Sequence, residues 1–246
     1  LEEDWGFAHR DRIFAGPYIT LVDVEWACRE LEWALDHDAR TVVMRPAAPT
    51  TATGPRPPTD PSFDPFWARV HEAGITVVVH AGDSGYTSHG YARDGFTTDF
   101  SGVPQPIRML QLERPIEDFL ASLVADNLFH RFPNLRVASV ENGSSYLRGL
   151  FGRLRVVAGK MQGWFPEDPV ETFRRHIWIN PFWEDDVDEV LEHMGAERVL
   201  FGSDWPHIEA LPEPLQYVQE VDHLPADQQR RIMFDNVAQL NQRRPA

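Results

Sequence analysis

Cysteine, basic residues and long apolar runs are all scarce in this sequence of 246 residues. Its one cysteine, Cys28, excludes an internal disulfide and is compatible with a reducing compartment, so we expect a cytoplasmic location. Lysine and arginine number 23 against 38 acidic residues, and the net charge of −15 argues against nucleic acid and anionic membranes as partners. No apolar stretch approaches the roughly 20 residues that a membrane span needs.

Two further absences bear on the kind of protein. The sequence has no glycine-rich phosphate loop of the Gly-x-Gly-x-x-Gly or Walker type, which argues against an open nucleotide-binding sheet. It also has no signal-peptide pattern and opens on Leu1 without an initiator methionine, so we expect its N-terminal part to be missing.

Strand-like and helix-like segments alternate along the chain, and this alternation predicts an α/β fold with a parallel sheet. The predicted strands cover residues 12–19, 41–44, 74–79, 135–140, 176–180 and 198–201. A complete (β/α)8 TIM barrel has eight strands. We therefore expect a single TIM-barrel domain over residues 1–246 with its first strand or strands missing, and a doubly wound sheet is the structural alternative.

Residues 81–112 differ from the rest of the chain because Gly, Ser, Thr, Tyr and Pro dominate there without a helical period. A segment of this length inside a compact domain is typical of a functional lid or a mobile insertion. The predicted lid-like insertion contains Asp83, Tyr86 and His89, and we expect one of them, with Tyr86 as our candidate, to contact the substrate.

Two predicted strands end in residues that can bind a metal ion or accept a proton. His80 closes the β-branched run 74–79, and Asp204 follows the apolar run 198–201 within Gly202-Ser-Asp-Trp205. Catalytic side chains collect at the carboxyl ends of parallel strands, and imidazole is a ligand of zinc and related ions. The alternatives are a hydrogen-bonded loop histidine and a buried structural aspartate.

Four segments resemble the amidohydrolase-related family, also called amidohydrolase 2, which includes the aminocarboxymuconate semialdehyde decarboxylase and resorcylate decarboxylase groups. The segments are Val-Val-Val-His80-Ala-Gly, Glu141-Asn-Gly, Leu-Phe-Gly-Ser-Asp204-Trp-Pro-His207 and Phe234-Asp-Asn236-Val-Ala. The resemblance implies a metal-bearing TIM barrel in which His80 binds the metal and Asp204 binds the metal or handles a proton.

The sequence departs from the family pattern at two places. The family's first strand carries a His-x-His or Glu-x-His metal pair, and no such pair stands at a predicted strand end here, so we expect it before residue 1. The decarboxylase members have a histidine where this chain has Glu141, which weakens the transfer of their mechanism. With His80 and Asp204 as the only ligands the site is underfilled, and we expect weak metal binding.

The implied cofactor is a divalent ion, with zinc as our first choice and manganese or magnesium as alternatives. Such an ion lowers the pKa of bound water from about 15.7 to about 7, or polarises a carbonyl group. Asp204 would act as the general base. Glu141 is either a third ligand, a proton shuttle or a salt-bridged structural residue.

Three other residues are candidates for contacts with the substrate or its protons. Arg45 ends a strand and could hold a carboxylate through two hydrogen bonds, with a surface role as its alternative. His207 could reach the pocket or cap a turn, and Trp205 stands at the strand mouth.

We therefore expect a metal-dependent hydrolase that acts on a small carbonyl or carboxylate compound through metal-activated water. The first alternative is a non-oxidative decarboxylase of a small aromatic or unsaturated acid. The second alternative is a catalytically inactive barrel that serves as a binding module. The partner is a small-molecule substrate, and aromatic loops such as residues 163–166 favour a homo-oligomer, a dimer.

Overall fold

The computed structural model describes residues 3–82, 114–207 and 210–246. The strands are β1 Ala8–His9, β2 Ile13–Phe14, β3 Thr41–Met44, β4 Thr50–Thr51, β5 Gly54–Pro55, β6 Thr76–His80, β7 Arg136–Val140 and β8 Ile177–Ile179. The α-helices are α1 Val24–Asp36, α2 Asp64–Ala73, α3 Arg114–Ala125, α4 Leu128–Arg131, α5 Leu147–Lys160, α6 Pro169–His176, α7 Val187–Met194, α8 Val218–Val221, α9 Ala226–Arg230 and α10 Asn236–Leu240. No helix in these ranges is both long and apolar enough to cross a membrane.

The central sheet is parallel and follows the order β3-β6-β7-β8. An isolated parallel bridge extends it at each side, from Tyr18 to Val43 and from Ile179 to Val199. Six segments therefore stand side by side in chain order, as the sequence predicts. Helices α1, α2, α3, α5, α6 and α7 lie between or after these segments along the chain, which is the βα alternation of an α/β fold.

The first and last predicted strands are shorter than the sequence indicates. Residues 12–19 divide into β2 and the single bridge at Tyr18, because Pro17 has no N–H group to continue a ladder. At the other side, the Leu200 N–H bonds to the Ile179 carbonyl at 2.8 Å, but the Phe201 N–H turns to the Ile232 carbonyl at 3.0 Å.

A π-helical turn over Arg231–Asp235 makes that last contact possible. The Asn236 N–H bonds to the Arg231 carbonyl, five residues back, so that the Ile232 carbonyl remains available to Phe201. The π turn therefore separates α9 from α10, and it fixes the end of the last strand segment against this helical region. Single π turns of this kind occur often at functional sites.

Alternate residues of each strand face two separate apolar clusters, because the side-chain period of a strand is two. One face packs under the helices and includes Val77, Val79, Val137, Ile177 and Val199, all fully buried. The other face forms a small second cluster of Ala138, Trp178, Leu200 and Leu240, with Val78 and Val140 partly buried against it. We call this second surface the inner face of the sheet.

Arg136 secures the amino end of the sheet. Its side chain is buried and donates to the carbonyls of Gly74, Gln239 and Gln242. Burial lowers the pKa of this guanidinium to about 10, with the nearby charge of Arg244 acting in the same direction. The C-terminal segment thus closes this end of the sheet.

His176 provides a test of the packing between α6 and the helices beside it. The ring is buried, stacks on Phe129 with centroids 4.5 Å apart, and bonds through Nδ1 to the Leu135 carbonyl at 2.8 Å. Burial lowers the pKa of His176, and the positive charge of Arg175 lowers it further against the opposing effect of the Leu135 carbonyl.

We predict that His176 makes folding less stable as the pH falls through about 6.5, the ordinary pKa of histidine. Below that pH the histidine is protonated in the unfolded chain but stays neutral in the folded chain. The free energy of unfolding therefore falls by at most about 1.4 kcal/mol per pH unit until the pKa of the folded state is passed. Urea unfolding at pH 7.5, 6.5 and 5.5 should show a shallower pH dependence for His176→Gln than for the unchanged chain. The exposed His130→Gln is the control, and an equal slope in all three proteins would contradict the prediction.

Candidate metal centre

His80 and Glu141 meet at the carboxyl edge of the sheet. His80 ends β6 and pairs in register with Val140, so Glu141 leaves the neighbouring strand at the same level. The Nε2 atom of His80 lies 2.7 Å from Oε2 of Glu141, and Nδ1 lies 2.8 Å from the Ala81 carbonyl. Two acceptors thus face the two ring nitrogens, an arrangement that favours the imidazolium form.

The electrostatics of His80 agree with this geometry. The hydrogen bond to Glu141 is the largest cause that raises the pKa of His80, against a smaller opposing effect of partial burial. The Ala81 carbonyl and the charges of Glu141 and Asp204 also raise this pKa. The charge of Asp204 therefore acts on His80, although 124 positions separate the two residues in the sequence.

Asp204 and His207 form the second half of the site. Oδ2 of Asp204 lies 3.4 Å from Nδ1 of His207, and the His207 N–H bonds to the Asp204 carbonyl at 2.8 Å. This turn folds the imidazole back over the carboxylate. The sequence allowed His207 to reach the pocket or to cap a turn. In the structure its N–H closes a turn with the Asp204 carbonyl and its ring stands beside the Asp204 carboxylate.

Glu141, Asp204 and His207 together form a group that could hold a metal ion. One ligand atom from each residue can be chosen so that all three lie within 4.8 Å of one another. The side chains are accessible, with 26% of Glu141, 40% of Asp204 and 36% of His207 exposed. His80 adjoins the group through Glu141 and is itself 44% exposed. A small ligand can therefore reach all four side chains.

Both carboxylates stand on unusual backbone. Glu141 has φ of 57° and Asp204 has φ of 54°, the left-handed region that non-glycine residues seldom adopt. Such conformations cost on the order of 1–3 kcal/mol each and persist where the surroundings impose them, often at functional sites. The fold thus holds these two acids, one at each half of the site, in conformations that they would not adopt alone.

Three buried asparagines, which sequence analysis did not single out as site residues, hold the ends of the strands together. Asn142 donates to the carbonyls of Val79 at 2.9 Å and Val140 at 2.7 Å, joining β6 to β7. Asn180 donates to the Leu200 carbonyl at 3.3 Å, joining β8 to the last strand segment. Their signal in the sequence is a polar amide placed at the end of an apolar run.

Asn236 is the third of these asparagines. Its amide donates to the carbonyls of Ala196 at 2.7 Å and Val199 at 2.8 Å, so it fixes the segment that leads to Asp204 from α10. In the sequence, Asn236 stands within the family-like segment Phe234-Asp-Asn236-Val-Ala. Its side chain is buried, with 2% exposed, and it acts on the site through the backbone.

The remaining predicted site residues fall at the same edge or outside the described ranges. Arg45 directly follows β3, and its guanidinium lies over the Tyr18 ring at 5.9 Å. Trp205 follows Asp204 and is 64% exposed. Tyr86 lies outside the described residues, as do Asp83 and His89 and nearly all of the predicted lid-like insertion at 81–112.

Comparisons with known proteins agree with the architecture. The sequence profile of a family described as amidohydrolase matches residues 4–240. A solved amidohydrolase from Mycobacterium avium subsp. paratuberculosis K-10 is 39% identical with a TM-score of 0.90, over 98% of this chain and 62% of that chain. The present chain therefore spans 62% of the length of that relative. No curated protein sequence matches significantly.

More distant structures share the fold. A 2,6-dihydroxybenzoate decarboxylase from Rhizobium is 18% identical with a TM-score of 0.72, over 94% of this chain and 72% of that chain. A dihydroxybenzoic acid decarboxylase from Polaromonas sp. JS666, with bound manganese and the inhibitor 2-nitroresorcinol, is 16% identical with a TM-score of 0.68, over 90% and 66% of the two chains. The chain thus has a TIM-barrel fold, as the sequence predicts.

Gly202 tests the link between Asn180 and the Asp204 segment. A Cβ at Gly202 would lie 2.7 Å from both Nδ2 and Oδ1 of Asn180, a side chain that is 8% exposed and bonded to the Leu200 carbonyl. We predict that Gly202→Ala lowers the free energy of unfolding by about 1–3 kcal/mol through overpacking.

The double variant Gly202→Ala/Asn180→Ala should recover part of this loss, because it removes the clashing amide. Urea unfolding of the two single variants and the double variant gives the coupling energy, expected at about 0.5–3 kcal/mol. Gly159→Ala, at a glycine with open space around its Cβ position, is the matched control. Additive effects of the two substitutions would contradict the packing described here.

Proposed function

The chain belongs to the amidohydrolase family, and from this membership we propose that it is a metal-dependent hydrolase of a small carbonyl or carboxylate compound. The observation that carries the proposal is the convergence of Glu141, Asp204 and His207 at the carboxyl edge of a parallel sheet. In TIM barrels this edge is where catalytic residues stand. The activity is proposed for the protein to which these 246 residues belong.

The donors at this edge fit a divalent ion. Two ligand atoms at about 2.1 Å from one ion lie at most about 4.2 Å apart, so a group within 4.8 Å needs only a small side-chain movement. Carboxylate oxygens with an imidazole nitrogen suit zinc and manganese. We propose zinc first and manganese next, since the Polaromonas decarboxylase holds manganese. Magnesium remains the third choice.

The residues of the chain divide the chemistry among them. A bound divalent ion would supply a more acidic water molecule and would polarise a substrate carbonyl. Asp204 would accept the proton from the attacking water, with His207 beside it at 3.4 Å to share that proton. Glu141, which contacts His80 at 2.7 Å, would act either as a third metal ligand or as a proton shuttle.

His80 has two possible roles at this site. The family resemblance implies that it binds the metal, which requires a neutral ring nitrogen. The geometry supports a different role before an ion binds, in which His80 holds Glu141 in place. Nε2 of His80 is engaged by Glu141, and the pKa of His80 is raised. Binding of an ion through Nε2 of His80 would therefore break the pair with Glu141, and it needs the neutral ring that the raised pKa of His80 disfavours. Ligation by His80 stays a prediction.

Decarboxylation is the second candidate reaction, and the likeness to two dihydroxybenzoate decarboxylases favours it. In that reaction the bond between a carboxylate and an unsaturated carbon breaks, CO2 leaves, and the carbon takes a proton. Asp204 in its protonated form could deliver that proton. Glu141 stands where the decarboxylase members carry a histidine, and for this reason hydrolysis remains the first proposal.

We also propose one catalytic domain for residues 1–246. A single apolar cluster extends from Phe7 to Ile232, and no second core of comparable size occurs among the described residues. The partner proposed is a small molecule, and a homodimer remains our proposal for the assembly. A domain that binds its ligand without catalysis is the last alternative.

Metal binding tests the site directly. We predict that Asp204→Asn and Glu141→Gln each weaken the binding of Zn²⁺ or Mn²⁺ at least tenfold in calorimetric titrations, because each removes an anionic oxygen donor. Asp188→Asn is the matched control, since Asp188 also pairs with a histidine, His223, at 2.9 Å but away from the strand ends. Unchanged affinity in both site variants would show that the ion is held elsewhere.

Reaction type requires a separate panel. Nitrophenyl esters and anilides report hydrolysis, and CO2 release from 2,6-dihydroxybenzoate reports decarboxylation. Asp204→Asn should lower the observed rate by roughly 10²–10⁴ because it removes the general base. Turnover of the esters or anilides supports our first proposal, CO2 release supports the second, and metal binding without any turnover supports the binding module.

A further inference from the structure

Arg45 lies one strand away from His80 on the same face of the sheet. The register pairs Thr41 with Thr76 and Met44 with Val79, so the residue after β3 is level with the last residue of β6. Because alternate residues share a face, Arg45 and His80 both belong to the inner face. Neighbouring strands are about 4.8 Å apart, which places the start of the Arg45 side chain beside His80.

The path of the Arg45 side chain is shaped by Gly82. A Cβ at Gly82 would lie 3.2 Å from Cδ and 3.3 Å from Cγ of Arg45, tighter than an ordinary contact. The chain that leaves His80 therefore passes directly along the aliphatic part of the arginine. The guanidinium then reaches the Tyr18 ring at 5.9 Å, within the range of a cation–π contact.

Arg45 is exposed and has no acidic partner among the described residues, although acids outnumber bases in this chain by 38 to 23. Other arginines in the same ranges are paired, for example Arg69 with Glu32 at 2.6 Å and Arg175 with Glu167 at 2.7 Å. Within residues 3–82, 114–207 and 210–246, the Arg45 guanidinium therefore has no carboxylate to neutralise it and can bind an anion from solution.

A cavity of about 240 Å³ at the carboxyl edge includes Arg45 in its lining. Tyr18, Thr20, Met44 and Pro49 contribute to its wall, so it combines one cation with an aromatic ring, a hydroxyl and apolar surface. Its volume suits part of a small molecule. The cavity lies on the side of β3, away from Glu141, Asp204 and His207.

We propose that Arg45 forms a second anion subsite, which binds a carboxylate remote from the reacting group, and that the substrate is therefore a small dicarboxylate. This inference rests on the proposed function, in which the reacting group lies at the metal centre. One planar guanidinium matches the two oxygens of a single carboxylate, whereas phosphate sites usually supply several donors from backbone N–H groups. The Tyr18 ring would stack against the substrate, which favours a flat, unsaturated carbon frame.

Calorimetric titration with isophthalate, terephthalate and benzoate tests the subsite on the whole chain. We expect at least one of the two dicarboxylates to bind at least tenfold more tightly than benzoate. Arg45→Gln should remove this preference and leave benzoate affinity within about twofold. Arg45→Lys should keep this preference only in part, because the ammonium group keeps the positive charge but lacks the two parallel N–H donors of the guanidinium.

Gly82→Ala provides a second variant that keeps the arginine. The added methyl group must displace the Arg45 side chain, so we expect a loss of dicarboxylate preference of at least threefold. Arg29→Gln is the matched control, since Arg29 is also exposed and stacked on an aromatic ring, that of Trp26 at 5.0 Å. The control should bind all three acids as the unchanged chain does.

The outcomes separate this inference from the proposed function. Equal affinity for benzoate and both dicarboxylates, or an equal loss for all three acids in Arg45→Gln, would overturn the second subsite. Mn²⁺ titration of the same proteins is read independently and should be unchanged in Arg45→Gln. If the unchanged chain binds no Mn²⁺ or Zn²⁺, the proposed function fails, while the dicarboxylate preference remains measurable without metal.

Discussion

The whole site depends on hydrogen bonds from three buried asparagine amides to backbone carbonyls at the carboxyl edge of the sheet. Asn142 joins β6 to β7, Asn180 joins β8 to the last strand segment, and Asn236 joins that segment to α10. Parallel strands end in carbonyls that lose their ladder partners, and a buried carbonyl without a partner costs about 1–3 kcal/mol. The amides donate to carbonyls at these strand ends, of which the Val140 carbonyl also accepts the Ala81 N–H at 3.3 Å, and they fix the distance between the loops that follow.

Those fixed distances explain how the chain keeps two acids in left-handed backbone conformations. Glu141 immediately precedes Asn142, and Asp204 comes two residues after Gly202, which packs on Asn180. The strain at each acid is local, whereas the contacts that oppose it are buried and join separate strands. These buried contacts thus hold two carboxylates near each other and near two histidines. Repulsion between the two carboxylates would otherwise disfavour this arrangement.

Sequence patterns predicted the order of the six strand segments, and they placed His80 and Asp204 at one edge, because strand ends are visible as breaks in apolar runs. They did not predict the pair between His80 and Glu141, since side-chain contacts between strands 60 positions apart leave no periodic trace. The same reason hid the amides of Asn142 and Asn180. The strand at residues 12–19 was expected to be irregular at Gly16-Pro17, and it is shorter still, because Pro17 has no N–H to continue the ladder.

The contact between Phe201 and the π turn also has a consequence for synthesis of the chain. The last strand segment ends where Phe201 donates its N–H to the Ile232 carbonyl. At the opposite end of the sheet, Arg136 donates to the carbonyls of Gln239 and Gln242. On a ribosome the polypeptide emerges from its N-terminus, so β3, β6, β7 and β8 are synthesised before the residues that provide these carbonyls. The last strand segment, and with it the ligand-binding edge, can therefore take its final shape only after Ile232 has been synthesised.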